Sequence, residues 1–387
     1  MDFGLTDFQR DLFEEAFGLA SEFKLQYWRE KDRTAEYPTE FVRRFADKGW
    51  LGTIIPEEYG GAGLGITEAA LLLKAVCLSG AGMSGGSAVH FYLFPPAPIV
   101  KHGSEEMKRR YLPQVARGEL LMAFGVTEPN AGSDTSRIET FAERRGEGWV
   151  INGQKTWTTN AQNASKILLL ARTSERDEKR PLEGLTLFFT DLDRSACEVR
   201  RIEKLGRAAV DSNEVFIEDL KVPAEDVVGT VGRGFYHLLD GLNPERIVLA
   251  MEAVGIGRSA LGIATEYAKT RVVFNRPIGQ NQAIAHPLAR SWAELEAAEL
   301  LAMKAAWLYD RGESCGKEAN AAKLIAADAG FNACDSALQT LGGYGYAKEY
   351  HLERLWREVR LFRLAPISQE MVCNYLAQHA LGLPKSY

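Results

Sequence analysis

The first third of the chain alternates apolar and polar positions with the period of an α-helix. The period is clear in FQRDLFEEAFGLASEF, where apolar residues recur among charged ones at Phe8, Phe13, Phe17 and Leu19. A second helical run is ITEAALLLKAVCL. Two glycine-rich segments interrupt the pattern: PEEYGGAGLG reads as a loop, and SGAGMSGGSA as a second break or a closely packed turn of small residues. We therefore predict an all-helical N-terminal domain over residues 1 to 120.

The pattern changes to short β-type segments over residues 121 to 230. These segments are WVINGQKTWTT, SKILLLART, LTLFFTDL and SNEVFIEDLKV, which are rich in β-branched and aromatic residues and divided by Gly, Asn and Asp turns. Strands of this length and spacing predict a middle β domain.

A helical period returns after VGTVGRGF and continues to the end of the chain. One stripe keeps a single face apolar until Gly312, through Leu288, Trp292, Leu295, Ala298, Ala302, Ala305 and Tyr309. Several such helices predict a C-terminal helical bundle over residues 231 to 387. The fold class is therefore α+β and multidomain, with the order helices, sheet, helices.

Composition narrows the class of protein. A length of 387 residues exceeds one ordinary core, and 46% hydrophobic with 25% charged residues is typical of a folded soluble chain. A net charge of -6 argues against nucleic acid as a partner. We find no targeting leader and no apolar stretch that approaches membrane-spanning length, so we expect no membrane association and a cytoplasmic location.

Cysteine and histidine spacing gives no metal-ligand pattern. The five cysteines form no CxxC pair and lie near no histidine cluster, so we predict buried free thiols and no metal site. The six histidines are equally dispersed. For His90 and His102 a structural or surface role is favoured over catalysis.

Two polar motifs in the β region could hold a ligand. GVTEPNAGSD, residues 125 to 134, combines the hydroxyls of Thr127 and Ser133 with Gly132, which lets backbone N–H groups approach an anion. It is either a pyrophosphate cradle or a polar hairpin turn. In QKTWTTNA, strand alternation places Trp157 and Thr159 on one face, which suits a flat heterocycle but also a core aromatic.

GIGRSA, residues 255 to 260, matches a dinucleotide-binding fingerprint in letters only. It lies within an unbroken helical run, whereas the phosphate-binding mechanism needs a preceding strand. We interpret its small residues as a place where two helices pack closely.

Taken together, these segments resemble the acyl-CoA dehydrogenase family of flavoproteins over essentially the whole chain. The matching landmarks, in order, are PEEYGG, TEPNAGSD, INGQKTWTTNA, the segment from Arg271 to Gln282, and QTLGGYGY. The resemblance implies an N-terminal helical domain, a middle β-barrel-like domain and a C-terminal four-helix bundle. It also implies a homotetramer with FAD at the subunit interface, so that oligomerisation is a condition of cofactor binding.

The same resemblance implies which residues hold the cofactor. One subunit would contact the flavin through Phe124, Val126, Thr127, Gly132, Ser133, Trp157, Thr158 and Thr159, with Ser133 also near the CoA arm. A neighbouring subunit would contribute Arg271, Phe274, Gln282, Gln339, Gly342 and Gly343. Ser368 and Glu370 would complete the pocket, although Glu370 stands where a neutral Gln is usual.

The catalytic base is the most informative expectation. Oxidising a thioester between its α and β carbons needs a carboxylate to remove the α proton, and many family members carry it on the segment read here as LAPISQE. Pro366 occupies that position, and proline cannot accept a proton. Members resembling isovaleryl-CoA and long-chain acyl-CoA dehydrogenases use a Glu before the Arg of a helix read here as NPERIVLA, which points to Glu245.

Asn243 and Arg246 would then line the substrate site beside Glu245. The alternative for Glu245 is a solvated glutamate in the first turn of a helix, favourable to the helix dipole. Pro366 also lacks the N–H that polarises the thioester carbonyl in the family. A flavin ribityl hydroxyl would remain as donor, together with Ile367 if the register slips.

The function implied is FAD-dependent α,β-dehydrogenation of an acyl-CoA, with electrons passed to electron-transfer flavoprotein in fatty acid metabolism and lipid degradation. A branched or longer acyl chain is slightly favoured, and a carrier-protein-bound acyl group could replace CoA. A same-fold flavin-dependent monooxygenase is the second hypothesis. A non-catalytic flavin- or nucleic-acid-binding relative is the third, although that branch carries an extended basic C-terminal region, whereas this chain ends at GLPKSY.

Overall fold

Seven α-helices build the N-terminal part of the computed structural model, which describes residues 4–386. They are α1 (Asp7–Glu22), α2 (Leu25–Thr34), α3 (Thr39–Asp47), α4 (Ile66–Val76), α5 (Gly82–Leu93), α6 (Ala97–His102) and α7 (Glu105–Ala116). Thr6 opens α1 with a capping box, in which its hydroxyl accepts from the Gln9 N–H. The buried face of α1 carries Leu12 and Leu19, whereas Phe8 is exposed.

The small-residue segment SGAGMSGGSA is largely helical, so the prediction of a break or turn there is wrong for most of its length. A five-residue wide turn, Cys77–Ala81, leads directly into α5, and nearly every residue of α5 is buried. A Cβ on Gly85 would lie 2.9 Å from the ring of Trp28. The glycines therefore serve close packing, because a larger side chain would not fit against the neighbouring helices.

The middle part is a sheet of eight strands. They are β1 (Met122–Gly125), β2 (Phe141–Arg145), β3 (Gly148–Thr159), β4 (Lys166–Arg172), β5 (Leu185–Asp191), β6 (Cys197–Arg201), β7 (Ser212–Val222) and β8 (Val227–Val228). The strand order is β6-β7-β3-β1-β4-β5-β8, and β2 pairs with both β3 and β4. That double pairing closes a small barrel around its own apolar core, so the expected barrel-like form is confirmed.

The C-terminal part is a helical bundle. Its helices are α8 (Gly234–Thr270), α9 (Gln282–Asp310), α10 (Gly316–Leu341), α11 (Leu352–Val359) and α12 (Gln369–His379), and a two-stranded ribbon of β9 (Val272–Val273) and β10 (Arg276–Pro277) joins α8 to α9. On α9 the predicted stripe is buried at Leu295 and its alanines, but Trp292 and Tyr309 are 56% and 39% exposed. Those two aromatic residues therefore lie outside the core of the single chain.

Close helix packing explains the GIGRSA segment. A Cβ on Gly257 of α8 would lie 3.0 Å from the Cα of Gly330 on α10, and one on Gly255 would lie 2.7 Å from the carbonyl oxygen of Lys74 on α4. The interpretation as a helix-packing site is confirmed. The buried-thiol prediction holds for four cysteines and is wrong for Cys373, which is exposed.

Two helical stretches are long and apolar enough to cross a membrane by length and composition, contrary to the expectation that none would be. They are Ile66–His102 and Gly234–Thr270. In each stretch, 78% of the most apolar 18-residue segment is buried inside the protein. The apolar residues therefore pack against the rest of the fold, as in core helices of globular proteins.

Candidate active site

Glu245 lies well inside α8 and is buried, with 8% of its surface exposed. The first-turn, solvated alternative for this residue is therefore wrong. Burial raises the pKa of its carboxyl from 4.5 to about 7, because a carboxylate is poorly solvated among apolar groups. The positive charges of His90, Arg246 and Lys323 oppose that effect, and the Glu252 carboxylate adds to it. The result is a carboxyl group that gains and loses a proton near neutral pH.

Asn243 and Arg246 lie beside Glu245 on the same helix. Arg246 Nη1 donates to Asn243 Oδ1 at 3.1 Å, which fixes the guanidinium. The Nε atom of Arg246 is buried and has no acceptor among residues 4–386. A buried donor without a partner favours a ligand oxygen at this place, since such groups are otherwise costly.

The segment around Pro366 is held next to this group by a buried lysine. Lys323 of α10 is 1% exposed, and its Nζ donates to the carbonyl oxygen of Ile367 at 2.6 Å. The N–H of Ile367 itself finds no acceptor within the described chain. Ile367 therefore offers a free amide N–H directly after Pro366, which has none.

The turn from Phe124 to Ser133 is anchored by a buried ion pair that the sequence did not reveal. Lys155 of β3 donates to the Val126 carbonyl at 3.1 Å and to the Glu128 carboxylate at 2.7 Å. The Glu128 carboxylate also accepts the N–H groups of residues 139 and 140. These contacts fix the backbone while Gly132 and Ser133 stay exposed.

The strand alternation expected at Trp157 and Thr159 does not hold. A bulge separates Lys155 from Thr158 in the pairing of β3 with β7, and Trp157 has a φ of +58°. Trp157 is 58% exposed, whereas Thr158 and Thr159 are buried. The Thr158 hydroxyl has no partner among residues 4–386. An exposed indole beside a buried free hydroxyl is a surface that a flat polar ligand could complete.

The second predicted group surrounds a separate pocket of about 770 Å³ between the β9–β10 ribbon and the end of α10. Its lining includes Arg271, Phe274, Gln339, Gly342 and Gly343, and none of the residues from the first flavin group. Phe274 is 93% exposed. The structure thus brings five of the predicted residues together and keeps them apart from Phe124 to Thr159 within one chain.

The three remaining predicted residues stand at helix starts outside this pocket. Gln282 opens α9, and Ser368 caps α12 by accepting from the Met371 N–H at 3.4 Å. Glu370 lies in the first turn of α12. They are solvent-accessible positions that a ligand or a second chain could reach.

The residues present fit FAD. The side chain of Arg271 forms no hydrogen bond or ion pair within the described chain, so its guanidinium is free for a phosphate. A Cβ added to Gly132, Gly342 or Gly343 would meet nothing within 4 Å, so the backbone there is open to a ligand. Nothing in residues 4–386 groups three or more potential metal ligands.

Two charged residues near His90 had no sequence signal. Glu252 of α8 is fully buried, with its Oε1 3.1 Å from Nδ1 of His90 on α5. Arg207, from the loop before β7, donates to the hydroxyls of Ser212 and, at 3.4 Å, of Thr159. No spacing signal could reveal these contacts, because the partners come from distant segments.

Three family models match consecutive parts of the chain: "Acyl-CoA dehydrogenase, N-terminal domain" over residues 6–119, "middle domain" over 123–220 and "C-terminal domain" over 232–381. "Acyl-CoA dehydrogenase fadE12" of Mycobacterium bovis is 41% identical, covering 94% of this chain and 93% of that protein. The chain belongs to the acyl-CoA dehydrogenase family.

Solved structures of acyl-CoA dehydrogenase relatives share the whole fold. The butyryl-CoA dehydrogenase of Megasphaera elsdenii superposes with a TM-score of 0.93 at 30% identity, covering 99% of this chain and 100% of that one. A structure titled "FAD complex of PigA" gives a TM-score of 0.94 at 25% identity, covering 99% and 100%. The resemblance noted in the motifs and the predicted fold class are both confirmed.

Proposed function

We propose that this protein is an FAD-dependent acyl-CoA dehydrogenase that oxidises an acyl-CoA thioester between its α and β carbons and passes the electrons to electron-transfer flavoprotein. The observation that carries the proposal is the buried, high-pKa carboxyl of Glu245 next to Arg246 and Asn243. The names of the relatives support the same substrate class. A cytoplasmic location and a role in fatty acid breakdown complete the proposal.

Glu245 would act as the base. Its carboxylate would accept the α proton, and the chemistry that bound FAD would supply is that of an acceptor for the hydride leaving the β carbon. A carboxyl with a pKa near 7 holds a proton more firmly than an ordinary glutamate, which makes its ionised form a stronger base. Arg246, fixed by Asn243, would orient the ligand through its free Nε.

The thioester carbonyl needs a hydrogen-bond donor other than Pro366. The N–H of Ile367 is free, and the bond from Lys323 to the Ile367 carbonyl fixes the peptide that follows. We therefore assign the Ile367 N–H as the protein donor to the developing enolate oxygen. The burial of Glu245 limits the access of water, which would strengthen this bond.

The separation of the two flavin groups supports a homotetramer with shared cofactor sites. The first group would hold the isoalloxazine ring, and the pocket at Arg271 in a neighbouring subunit would hold the pyrophosphate and adenosine. Gln282, Ser368 and Glu370 would border the same ligand. The exposed Trp292 of α9 supports subunit contact on this side of the bundle.

Arg271→Gln should weaken FAD binding about 10- to 100-fold, because a charge-assisted hydrogen bond to phosphate is lost. The measurement is the FAD content after gel filtration, followed by the Kd from flavin fluorescence. Arg290→Gln, an exposed arginine of α9 outside the pocket, is the matched control and should keep the wild-type FAD content. An unchanged Kd for Arg271→Gln would remove this residue from the cofactor site.

Anaerobic titration of the FAD-loaded enzyme with straight, branched and aromatic acyl-CoAs tests the function itself. At least one should reduce the flavin, faster above pH 7 than below it, because Glu245 must be ionised to accept the proton. Failure of every acyl-CoA, with reduction by the same acyl groups on a carrier protein, would change the substrate class. Oxygen uptake with supplied reduced flavin and indifference to all thioesters would favour the monooxygenase instead.

A further inference from the structure

A buried histidine–glutamate pair lies two turns along α8 from the base and takes no part in the reaction described above. Nδ1 of His90 lies 3.1 Å from Oε1 of Glu252, and their side chains are 5% and 0% exposed. A carboxylate can only accept, so Nδ1 carries the proton. The second oxygen of Glu252 has no partner among residues 4–386.

The fold makes room for this pair. A Cβ on Gly86 of α5 would lie 3.5 Å from Glu252 Oε1 and 2.7 Å from the Sγ of Cys77. Glycine at that position therefore leaves room for the Cys77 thiol against α5, and the Glu252 carboxylate lies at ordinary contact distance. A pair whose function was only to fill the core would be costly, since two ionisable groups lose their hydration.

The pair faces the base. Glu252 follows Glu245 by seven residues, which is two turns along α8 and the same helix face. The charge of His90 acts on both carboxylates: it opposes the effect of burial on Glu245, and both carboxylates favour the protonated ring. Burial alone would lower the pKa of His90, but the Glu252 and Glu245 carboxylates together outweigh burial and the pKa is raised.

The imidazole ring also adjoins the predicted flavin surface. Its centroid lies 5.8 Å from that of Phe94, whose ring is 5.3 Å from Phe124 at the end of β1. His90 thus stands between the buried carboxylate of α8 and the aromatic wall of the site. A positive charge there is almost wholly screened from solvent.

We propose that His90, held by Glu252, is a positioning residue that keeps the Glu245 carboxylate ionised and ready to accept the α proton. This inference rests on the proposed function and adds to it. His90 does not itself exchange a proton with substrate. Its imidazolium adds to the positive charges of Arg246 and Lys323 that favour the ionised Glu245, and Glu252 keeps that imidazolium protonated.

Other charges near these groups stay in place when His90 is changed. Arg246 remains bonded to Asn243 and Lys323 to the Ile367 carbonyl. Among residues 4–386, the other ionisable groups that act on Glu245 or His90, or on which Glu252 acts, include Arg246 on α8, Lys323 on α10, Arg207 before β7, and Cys77 in the wide turn. A change at His90 alone therefore isolates one charge.

The test is the pH dependence of flavin reduction in the FAD-loaded enzyme, measured with an acyl-CoA that reduces the wild type. His90→Asn keeps a donor toward Glu252 but loses the charge, so the half-maximal pH should rise by about one unit. The double variant His90→Asn with Glu252→Gln removes both charges. Its half-maximal pH should fall between those of the wild type and His90→Asn. A structural role would lower the rate at every pH and leave the midpoint in place, which would overturn the proposal.

A second measurement keeps the proposal testable if His90→Asn fails to fold or no acyl-CoA reduces the flavin. Coupling between two charges is reciprocal, so removing the charge at position 245 must lower the pKa of His90. Histidine-labelled NMR titrations of wild type and Glu245→Gln, both FAD-loaded, should show that shift. Identical titrations would overturn the proposal, whereas a shift without any acyl-CoA activity would leave the pair coupled and refute only the proposed function.

Discussion

Glu245→Gln should lower the rate constant of flavin reduction by acyl-CoA about 10²- to 10⁴-fold while FAD and the thioester still bind. The amide has the shape of the carboxyl but cannot accept the α proton. Burial helps to make this a sharp test, because the neutral amide suits an apolar environment at least as well as the carboxylate. Anaerobic stopped-flow measurement of flavin bleaching gives the rate constant directly.

Glu266→Gln is the matched control for this change. Glu266 lies on the same helix but on its surface, where it pairs with Lys269. It should reduce flavin at the wild-type rate. If the flavin of Glu245→Gln bleaches as fast as that of Glu266→Gln, the base is another group.

Arg354→Met should destabilise the protein by about 3–5 kcal/mol, because it leaves a buried carboxylate without its cation. Arg354 is 1% exposed and lies 3.2 Å from Glu358, whose carboxylate also accepts from the Met83 N–H and the Ser84 hydroxyl. The guanidinium further donates to the carbonyls of the wide turn before α5. This cluster therefore joins the C-terminal bundle to the N-terminal helices.

Denaturant unfolding of the FAD-loaded enzyme measures the change in the free energy of unfolding. If unfolding is irreversible, the unfolding rates of variant and wild type are compared instead. Arg33→Met is the control, since Arg33 forms an exposed ion pair with Glu30 and its loss should have little effect. Adding Glu358→Gln to Arg354→Met should recover part of the loss. An Arg354→Met protein as stable as Arg33→Met would show that the cluster does not hold the two parts together.

Periodic patterning accounts for what could be predicted of the fold. Long amphipathic runs and short β-branched segments identified the order helices, sheet, helices, and the five motifs identified the family. The pattern failed where small residues dominate, as in α5, because Gly and Ser carry no hydrophobic signal and their role depends on neighbours such as Trp28. It also failed at Trp157, because a bulge depends on the partner strand.

The candidate base could be found from the sequence because Pro366 removes the alternative position. Its environment could not, since the burial and neighbouring charges of Glu245 come from α5 and α10 as well as α8. The pairs Glu128–Lys155 and His90–Glu252 were missed for the same reason. In each pair the partners are separated by dozens of residues or more and meet only through tertiary packing.

The turn at Gly132 and the pocket at Arg271 are separate within one chain, and this separation has a consequence for handling the enzyme. If one FAD spans both, a single chain carries two half-sites that belong to different cofactors. Flavin retention and subunit association are then one coupled equilibrium, and the apparent affinity for FAD falls as the protein is diluted. Colour lost on dilution and regained on concentration would be its visible sign.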